Sequence, residues 1–529
     1  MRRTERSTGR VDRQEEGRLT GAKYNGAELE RSEGDAMAEE KAKTQAAQSE
    51  KKNEDTKEKK RKLLGIEPVE THHEIKLGGQ TLKYVARAGA IALKDECDET
   101  EAEIYFTAYE LEGVDDPTER PLTFAFNGGP GSASIWLHMG ALGPKRVRME
   151  EEGWMPPPPY TYEDNPQTWL DKTDLVFIDP VGTGFSRAAK EDLDKKFMSV
   201  KGDVESVGEF IRLYLTRYKR WTSPLFLAGE SYGTTRAAGL AGHLVDKGIA
   251  FNGIALISTA IDIASLRFSN TNDLAYQLFV PTYAATAWYH KKLGDEFLER
   301  DLGDFVDEVT AWARTDLTAA LMKGDSIPDE ERKAVAEKLS AYTSLDLQYV
   351  LGTNLRVEIF RFCKELLRDE KRSVGRIDSR FKGVEALAVT ELPEFDPSMR
   401  AITPPYTSAF NHYVRTELGI ETDLTYETMS AQVNREWEWE KGQMPEMGQA
   451  LRAALAKNPY MKVFVSQGYY DLATPAFATE YMISHMNVDA NLRDNVELRT
   501  YEAGHMFYLD VDCLAAFKED VDRFIDAST

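Results

Sequence analysis

The chain has 529 residues, a formal net charge of −23 and a hydrophobic fraction of 42%, which is enough for a large α/β domain with an insertion. The acidic balance argues against nucleic acid or an anionic membrane as a partner, because both would repel such a surface. No run of about 18 or more apolar residues is present, so we expect no membrane span.

The N-terminal arginines and the number of cysteines indicate the compartment of the protein and whether it binds a metal. Arg2 and Arg3 are not followed by an apolar stretch, so no secretory signal is visible. Cys97, Cys363 and Cys513 are too few and too scattered for a disulfide framework or a metal cluster. We therefore expect a cytoplasmic protein that uses neither a metal nor a cofactor.

Residues 1–65 are predicted to form a charged, disordered tail. From Glu39 to Lys62, nearly every residue is Glu, Lys, Gln, Ala, Asp, Ser or Thr. A segment of this composition cannot bury enough apolar area to offset its chain entropy. An interaction patch at the basic cluster 59–62 is the alternative.

The next segment predicts strands that lead into a glycine-rich loop. Residues 74–77 and 81–85 alternate polar and apolar side chains, which is typical of an antiparallel hairpin. The apolar strand 122–126 ends in Asn127-Gly128-Gly129-Pro130-Gly131. Backbone N–H groups in such a loop can approach a developing negative charge with no Cβ in the way, so the loop is a candidate oxyanion hole. A plain turn is the alternative.

The pattern Gly229-Glu230-Ser231-Tyr232-Gly233 stands between an apolar run at 225–228 and a helical segment at 234–241. A strand, a sharp turn and a helix form the context of a nucleophile elbow, which raises a serine hydroxyl above the sheet. We therefore predict that Ser231 is a nucleophile. An ordinary buried turn is the alternative.

Two polar residues follow the last two predicted strands, 462–467 and 496–501. Asp471 comes soon after the first strand and His505 soon after the second. A serine needs a base to take its proton, and the base is normally an imidazole held by a carboxylate. The order Ser231, Asp471, His505 is that of α/β-hydrolases. Less favoured alternatives are His138 for the base and Asp510 or Asp512 for the acid.

Outside residues 265–445, the predicted strands alternate with helical segments. This alternation predicts a mostly parallel sheet with helices on both faces. Residues 265–445 lack a strong strand signal and are expected to form a mainly helical cap over the site. The fold prediction is therefore an α/β-hydrolase core, built from residues 66–264 and 446–529, with the cap inserted between the two parts.

Together these motifs resemble the serine carboxypeptidases. The resemblance rests on the segments 127–131, 179–186, 229–233 and 504–506. It implies a helical cap and the release of single residues from peptide C-termini through an acyl-enzyme. It further implies that Ser231 is the nucleophile, His505 the general base and acid, and Asp471 the orienting carboxylate.

The resemblance also implies two binding sites. The backbone N–H groups of Gly129 and Tyr232 would form the oxyanion hole, and Asn127 and Glu230 would hold the terminal carboxylate of the substrate. A carboxylate at Glu230 would repel that group, whereas a protonated Glu230 would donate to it, so peptide acids should bind better at acidic pH. A buried structural glutamate is the alternative.

Some positions depart from the family pattern. Ala141 precedes Leu142-Gly143-Pro144, where many members carry glutamate, and Ser132 replaces a familiar cysteine. With the missing disulfides, these differences predict a prokaryotic-type member and leave the pH optimum and side-chain preference open. An esterase or acyltransferase of small esters is the alternative function, and a catalytically silent binding protein is a third. Asn127 and Glu230 favour the peptidase, because an esterase needs no site for a free carboxylate.

Overall fold

The computed structural model describes residues 60–439 and 445–529. Most of the predicted tail, residues 1–59, therefore lies outside the described residues. From its first described residues the chain contacts the core, because the Arg61 guanidinium pairs with Asp194 and the Leu64 side chain is buried. Contact with the core thus begins before the predicted boundary at residue 65.

The strands of the described chain form one large sheet and two small ones. Their bounds are β1 (Val69–Leu77), β2 (Gln80–Lys94), β3 (Thr100–Leu111), β4 (Leu122–Phe126), β5 (Lys145–Val147), β6 (Tyr162–Asp164), β7 (Asp174–Ile178), β8 (Arg187–Ala188), β9 (Leu225–Ser231), β10 (Gly253–Thr259), β11 (Arg372–Val374), β12 (Lys382–Val384), β13 (Lys462–Gly468) and β14 (Val496–Tyr501).

The large sheet has the order β1-β2-β3-β7-β4-β9-β10-β13-β14, with β8 beside β3. The strands from β7 to β14 in this order run parallel, and β1, β2 and β3 form an antiparallel edge. Strands β4 and β10 are buried along their whole length, which explains why their sequences are apolar runs instead of alternating patterns. This topology confirms the predicted mostly parallel sheet.

The helices lie before, between and after these strands. The α-helices are α1 (Ile135–Leu137), α2 (Asp194–Phe197), α3 (Val200–Arg217), α4 (Tyr232–Val245), α5 (Leu274–Leu278), α6 (Val280–Tyr289), α7 (Asp295–Leu298), α8 (Leu302–Trp312), α9 (Thr318–Met322), α10 (Asp329–Thr343), α11 (Leu347–Gly352), α12 (Ile359–Glu365), α13 (Pro397–Thr416), α14 (Ala431–Glu436), α15 (Gly448–Lys457), α16 (Ala476–His485) and α17 (Val511–Asp526). Short 3₁₀ or π turns occupy Pro117–Glu119, His138–Leu142, Trp169–Asp171, Glu191–Leu193, Ala264–Leu266, Ala313–Leu317, Gly324–Ser326, Arg368–Glu370, Ala490–Asn495 and Phe507–Leu509.

Apolar side chains cover both faces of the sheet. Successive residues of a strand point to opposite faces, so Leu227 packs in one cluster with Leu240 of α4 and Phe226 packs in the other with Phe524 of α17. The two clusters fix the sheet between its helical layers. No helix among the described residues is both long and apolar enough to cross a bilayer.

The interval between β10 and β13 has a different organisation. Its described residues contain the helices α5 to α15 and the small antiparallel pair β11–β12, and they add no strand to the large sheet. Residues of this interval also form part of the wall of the cavity above β9. The interval therefore bears directly on what can reach the end of that strand.

A buried ion pair connects the loop after β4 to the helices α3 and α4. The Arg236 side chain is 1% exposed, and its Nε donates to Asp203 Oδ2 at 2.8 Å. Its Nη1 also donates to the carbonyl oxygen of Asn127 at 2.6 Å. One guanidinium therefore fixes the glycine-rich loop against both helices.

Asp203→Ala should lower the free energy of unfolding by about 3–5 kcal/mol, because it leaves the buried Arg236 charge without its partner. Denaturant unfolding followed by circular dichroism would measure the loss. Lys201→Ala on the same helix is the matched control, because its exposed pair with Glu205 should contribute no more than about 0.5 kcal/mol. Equal effects of the two substitutions would contradict this account of the buried pair.

Candidate active site

Ser231 ends β9 and stands directly before α4, with backbone angles φ 59° and ψ −129°. This conformation is strained for a residue with a side chain, and it is typical of a nucleophile elbow. The strand and the helix approach closely at this turn, since a Cβ on Gly229 would lie 2.3 Å from the carbonyl oxygen of Gly233. The glycines of the motif therefore permit the turn that exposes the serine.

His505 and Asp471 meet beyond the ends of the neighbouring strands β14 and β13. The distance from His505 Nδ1 to Asp471 Oδ2 is 2.7 Å. The Asp471 side chain is fully buried. It also accepts hydrogen bonds from the N–H groups of Ala473 at 2.7 Å and Thr474 at 2.9 Å, and from the Thr474 hydroxyl at 2.6 Å. These donors fix the carboxylate in the orientation that holds the imidazole.

The electrostatic surroundings favour a proton on His505. Burial lowers the pKa of the imidazole, but the charge and hydrogen bond of Asp471 outweigh this effect, so the pKa lies above its ordinary value. Glu230 raises the His505 pKa further and Arg376 lowers it. The imidazolium that forms when a serine loses its proton is therefore stabilised here.

A cavity of about 420 Å³ opens above the end of β9. It brings together nearly all the residues that the sequence singled out. Those lining it are Asn127, Gly129, Glu230, Ser231, Tyr232 and His505, and Asp471 lies behind the histidine.

The glycine-rich loop lies against the first turn of α4. A Cβ on Gly128 would stand 2.4 Å from the backbone nitrogen of Tyr232, so only glycine allows this approach. Gly129 is exposed to the cavity with φ 102°, and Tyr232 is the first residue of α4. N–H groups at the start of a helix have no partner within it, and they carry the positive end of its dipole. Gly129 and Tyr232 therefore line the same cavity as Ser231, and their role as an oxyanion hole stays a prediction.

Glu230 is 3% exposed and lies beside the serine. Burial raises its pKa to about 7, and the nearby Asp471 charge adds to the rise, while His505, Tyr508 and Asn127 oppose it. The Tyr508 hydroxyl donates to Glu230 Oε2 at 2.5 Å. This carboxyl group is therefore partly protonated near neutral pH. The sequence reasoning did not single out Tyr508, although it lies three residues after the predicted base.

The amide group of Asn127 is fixed through its oxygen. Its Oδ1 accepts a hydrogen bond from the Leu137 N–H at 3.0 Å, which determines the orientation of the amide group. Its buried Nδ2 makes no hydrogen bond of normal geometry with any described residue. A buried donor of this kind normally has a partner, and the cavity gives a ligand access to it.

Sequence reasoning also missed residues 376–379, which we call the strap. The strap lies between β11 and β12. The carbonyl oxygen of Arg376 accepts a hydrogen bond from the Leu472 N–H at 3.1 Å, and the Ser379 N–H donates to the carbonyl oxygen of Tyr470 at 3.0 Å. These contacts hold the residues on either side of the predicted acid.

The middle of the strap holds the loop of the predicted base. The carbonyl oxygen of Ile377 accepts the His505 N–H at 2.7 Å, and Asp378 Oδ2 accepts the Gly504 N–H at 3.1 Å. Arg380 neutralises Asp378 at 2.8 Å. The contacts of Ile377 and Asp378 with the His505 loop join residues more than a hundred positions apart, so no local sequence pattern could have revealed them.

The alternative base and acids have other roles in the structure. Burial lowers the pKa of His138 to about 3, and its ring stacks on Phe177 while Nε2 contacts the Tyr109 hydroxyl at 2.6 Å. Asp510 caps α17 by accepting the Asp512 N–H at 3.1 Å. The geometry therefore favours Asp471 and His505 as the pair that serves Ser231.

A partly exposed serine at an elbow, an imidazole and a buried carboxylate on a mostly parallel sheet define a serine hydrolase of the α/β-hydrolase fold. The profile of the serine carboxypeptidase family matches residues 84–506. The chain therefore belongs to that family, which confirms the resemblance found in the motifs.

Curated relatives match shorter parts of the chain. Serine carboxypeptidase-like 5 of Arabidopsis thaliana is 30% identical over 29% of this chain and 33% of its own length. The pheromone-processing carboxypeptidase KEX1 of Saccharomyces cerevisiae is 32% identical over 27% of this chain and 20% of its own length. The matched part is thus a third or less of these relatives. They come from a plant and a yeast, so the predicted prokaryotic-type branch finds no support and stays a prediction.

A solved structure shares the fold over most of the chain. The crystal structure of KEX1(delta)p, a prohormone-processing carboxypeptidase from Saccharomyces cerevisiae, aligns with a TM-score of 0.53 and 17% identity. The alignment covers 83% of this chain and 91% of that chain. At this identity the likeness shows the fold, which agrees with the predicted α/β-hydrolase core.

Asp378→Asn should lower kcat by about tenfold and change KM less, because it weakens the hold on the His505 loop and misplaces the imidazole by a fraction of an ångström. Steady-state kinetics on a blocked dipeptide would measure both constants. Asp510→Asn is the matched control, because Asp510 shares Arg380 at 3.2 Å and contacts neither Gly504 nor His505. A larger kcat loss in Asp510→Asn than in Asp378→Asn would contradict the role assigned to the strap.

Proposed function

We propose that this protein is a serine carboxypeptidase, which releases C-terminal residues from peptides through an acyl-enzyme on Ser231. The observation that carries the proposal is the pairing of Glu230 and Asn127 in the cavity that Ser231 and His505 line. Glu230 offers a carboxyl group with a pKa of about 7, and Asn127 offers a buried Nδ2 group that makes no hydrogen bond of normal geometry with any described residue. A free carboxylate is the substrate group that uses both donors.

The first half of the reaction follows from the positions of these groups. Ser231 Oγ attacks the scissile carbonyl carbon while His505 takes the serine proton, and Asp471 stabilises the imidazolium at 2.7 Å. The N–H groups of Gly129 and Tyr232 donate to the oxyanion of the tetrahedral intermediate. His505 then gives its proton to the leaving amine, the C–N bond breaks, and the C-terminal residue departs.

The second half reuses the same groups on water. His505 takes a proton from a water molecule, and the resulting hydroxide attacks the Ser231 ester. The same oxyanion hole stabilises the second intermediate. Collapse of this intermediate breaks the ester bond, returns the proton to Ser231 Oγ and releases the shortened peptide.

The terminal carboxylate of the substrate is held by two neutral donors in this proposal. Glu230 Oε2 accepts from Tyr508, which leaves the other carboxyl oxygen to carry the proton that is donated to the substrate. The Nδ2 group of Asn127 supplies the second hydrogen bond. When Glu230 ionises, the donor becomes a negative charge and repels the same carboxylate.

Ser231→Ala is expected to lower kcat by about 10⁴-fold or more without unfolding the protein, because the nucleophile is lost. His505→Ala should be nearly as severe and the double variant little worse, because the residues act as a unit. Asp471→Asn should also be severe, because it stabilises the wrong imidazole tautomer. Release of the C-terminal residue from a blocked dipeptide would measure activity, with circular dichroism to check the fold.

Asp512→Asn is the control for the acid, since this residue follows the capping Asp510 and contacts neither His505 nor Ser231. Its kcat should stay close to that of the parent protein. An active Ser231→Ala protein would overturn the mechanism. A severe loss in Asp512→Asn together with an active Asp471→Asn would show that the acid is misassigned.

A blocked dipeptide acid should be cleaved with a kcat/KM at least about tenfold higher than its C-terminal amide near about pH 5, because charge-assisted hydrogen bonds hold the carboxylate. The ratio should fall as pH rises through about 7, where Glu230 ionises. Taking the ratio at each pH cancels the titration of His505, which both substrates share.

Two variants test whether Glu230 is the titrating group. Glu230→Gln keeps a donor and should make the acid-to-amide ratio independent of pH. Tyr508→Phe removes a hydrogen bond that lowers the Glu230 pKa, so the fall in the ratio should move to higher pH. Equal cleavage of acid and amide at every pH would reject the carboxylate site and favour the esterase or acyltransferase.

A further inference from the structure

The positively charged side chain of Arg376 reaches the cavity from the strap. Arg376 lines the cavity, and its side chain is half-buried. Its guanidinium lies close enough to His505 to lower the pKa of the imidazole. No carboxylate among the described residues forms an ion pair or a hydrogen bond with that guanidinium. At the wall of the cavity that His505 also lines, Arg376 thus presents a guanidinium that has no ion-pair partner among the described residues.

The backbone of Arg376 is fixed, whereas its guanidinium has no hydrogen-bond partner among the residues that the structure describes. Its N–H donates to Asp396 Oδ1 at 3.2 Å, and its carbonyl oxygen accepts from the Leu472 N–H at 3.1 Å. A fixed backbone lowers the entropy that an arginine loses when it binds a ligand. The position therefore suits a binding residue better than a mobile surface arginine would.

The cavity as a whole is cationic in a strongly acidic protein. Its permanently charged lining residues in the described part of the chain are Arg267 and Arg376, and its titratable ones are Glu230 and His505, whose positive charge when protonated is offset by Asp471. Glu230 is the only carboxyl group among them, and its pKa of about 7 leaves it partly neutral. The whole chain carries a net charge of −23. A local positive field of this kind attracts an anionic group to the site.

The proposed reaction indicates which part of the substrate lies near Arg376. His505 passes its proton to the leaving amine, so groups beside the imidazole lie near the released residue. The α-carboxylate of that residue already has Asn127 and Glu230 as partners. The Arg376 guanidinium is then available to a second carboxylate, the one on the side chain of the released residue.

We propose that Arg376 selects peptides whose C-terminal residue is aspartate or glutamate. The inference rests on the proposed carboxypeptidase activity, because that reaction defines which residue is released. A guanidinium presents a planar fork that binds a carboxylate through two parallel hydrogen bonds. Glutamine and asparagine have the same shapes without the charge, so they are the substrates to be discriminated against.

Binding to the Ser231→Ala protein tests the inference without any turnover. Isothermal titration calorimetry would compare two blocked dipeptides that end in glutamate and in glutamine. The glutamate peptide should bind at least about tenfold more tightly. Adding Arg376→Met should reduce the ratio of the two Kd values to about one, and Arg376→Lys should leave an intermediate ratio, because it keeps the charge and loses the fork.

Arg267→Met is the matched control, because Arg267 lines the same cavity but is exposed and lies 6.0 Å over the Trp439 ring. It should keep most of the preference for glutamate. If the Arg267 and Arg376 substitutions reduce the preference for glutamate equally, the preference comes from the overall positive charge of the cavity. That result would overturn the assignment to Arg376. A preference for glutamate one residue before the C-terminus would overturn the assignment to the released residue.

Two further results separate this inference from the proposed function. If Arg376→Met abolishes discrimination between peptide acid and amide while keeping that between glutamate and glutamine, Arg376 holds the α-carboxylate and the inference is wrong. If the Ser231→Ala protein prefers the glutamate peptide through Arg376 but the parent protein releases no residue from it, the binding site stands and the carboxypeptidase proposal fails.

Discussion

The site depends on the close approach of two backbone segments, the glycine-rich loop after β4 and the elbow after β9. The space between Gly128 and the nitrogen of Tyr232 would not admit a Cβ. The approach is possible because β4 and β9 are neighbouring parallel strands that end at the same edge of the sheet. It brings the N–H groups of the loop and of α4 together, and it places Asn127 opposite Glu230. The buried Arg236 holds the arrangement by bonding to the loop carbonyl from within α4.

Burial and charge then divide the roles of the carboxyl groups in the site. Asp471 is surrounded by donors, so its negative charge supports the imidazole. Glu230 receives fewer donors and feels the Asp471 charge, so burial raises its pKa to about 7. The contrast lets one carboxyl group act as an anion and the other as a hydrogen-bond donor, and it gives the proposed carboxylate site its dependence on pH.

The strap links the insertion to the chemistry. Its backbone holds the loops of both Asp471 and His505, and its first side chain, Arg376, faces the cavity. Changes in the strap would therefore alter the geometry of the base and the preference for a substrate together. The interval between β10 and β13 therefore acts on the predicted acid and base through the strap, besides forming part of the cavity wall.

The sequence alone determined the fold class and singled out the side chains that the structure brings together at the end of β9. Apolar strand runs, a glycine-flanked serine and the order Ser231, Asp471, His505 are local signals, and each reflects a backbone requirement of a few residues. Tertiary structure alone decided the partners of those residues. The hydrogen bond from Tyr508 to Glu230 and the contacts of the strap join positions far apart in the chain. The raised pKa of Glu230 likewise depends on its burial in the folded protein. Burial and long-range hydrogen bonds have no periodic pattern in a sequence, because they depend on where the folded sheet brings separate loops together.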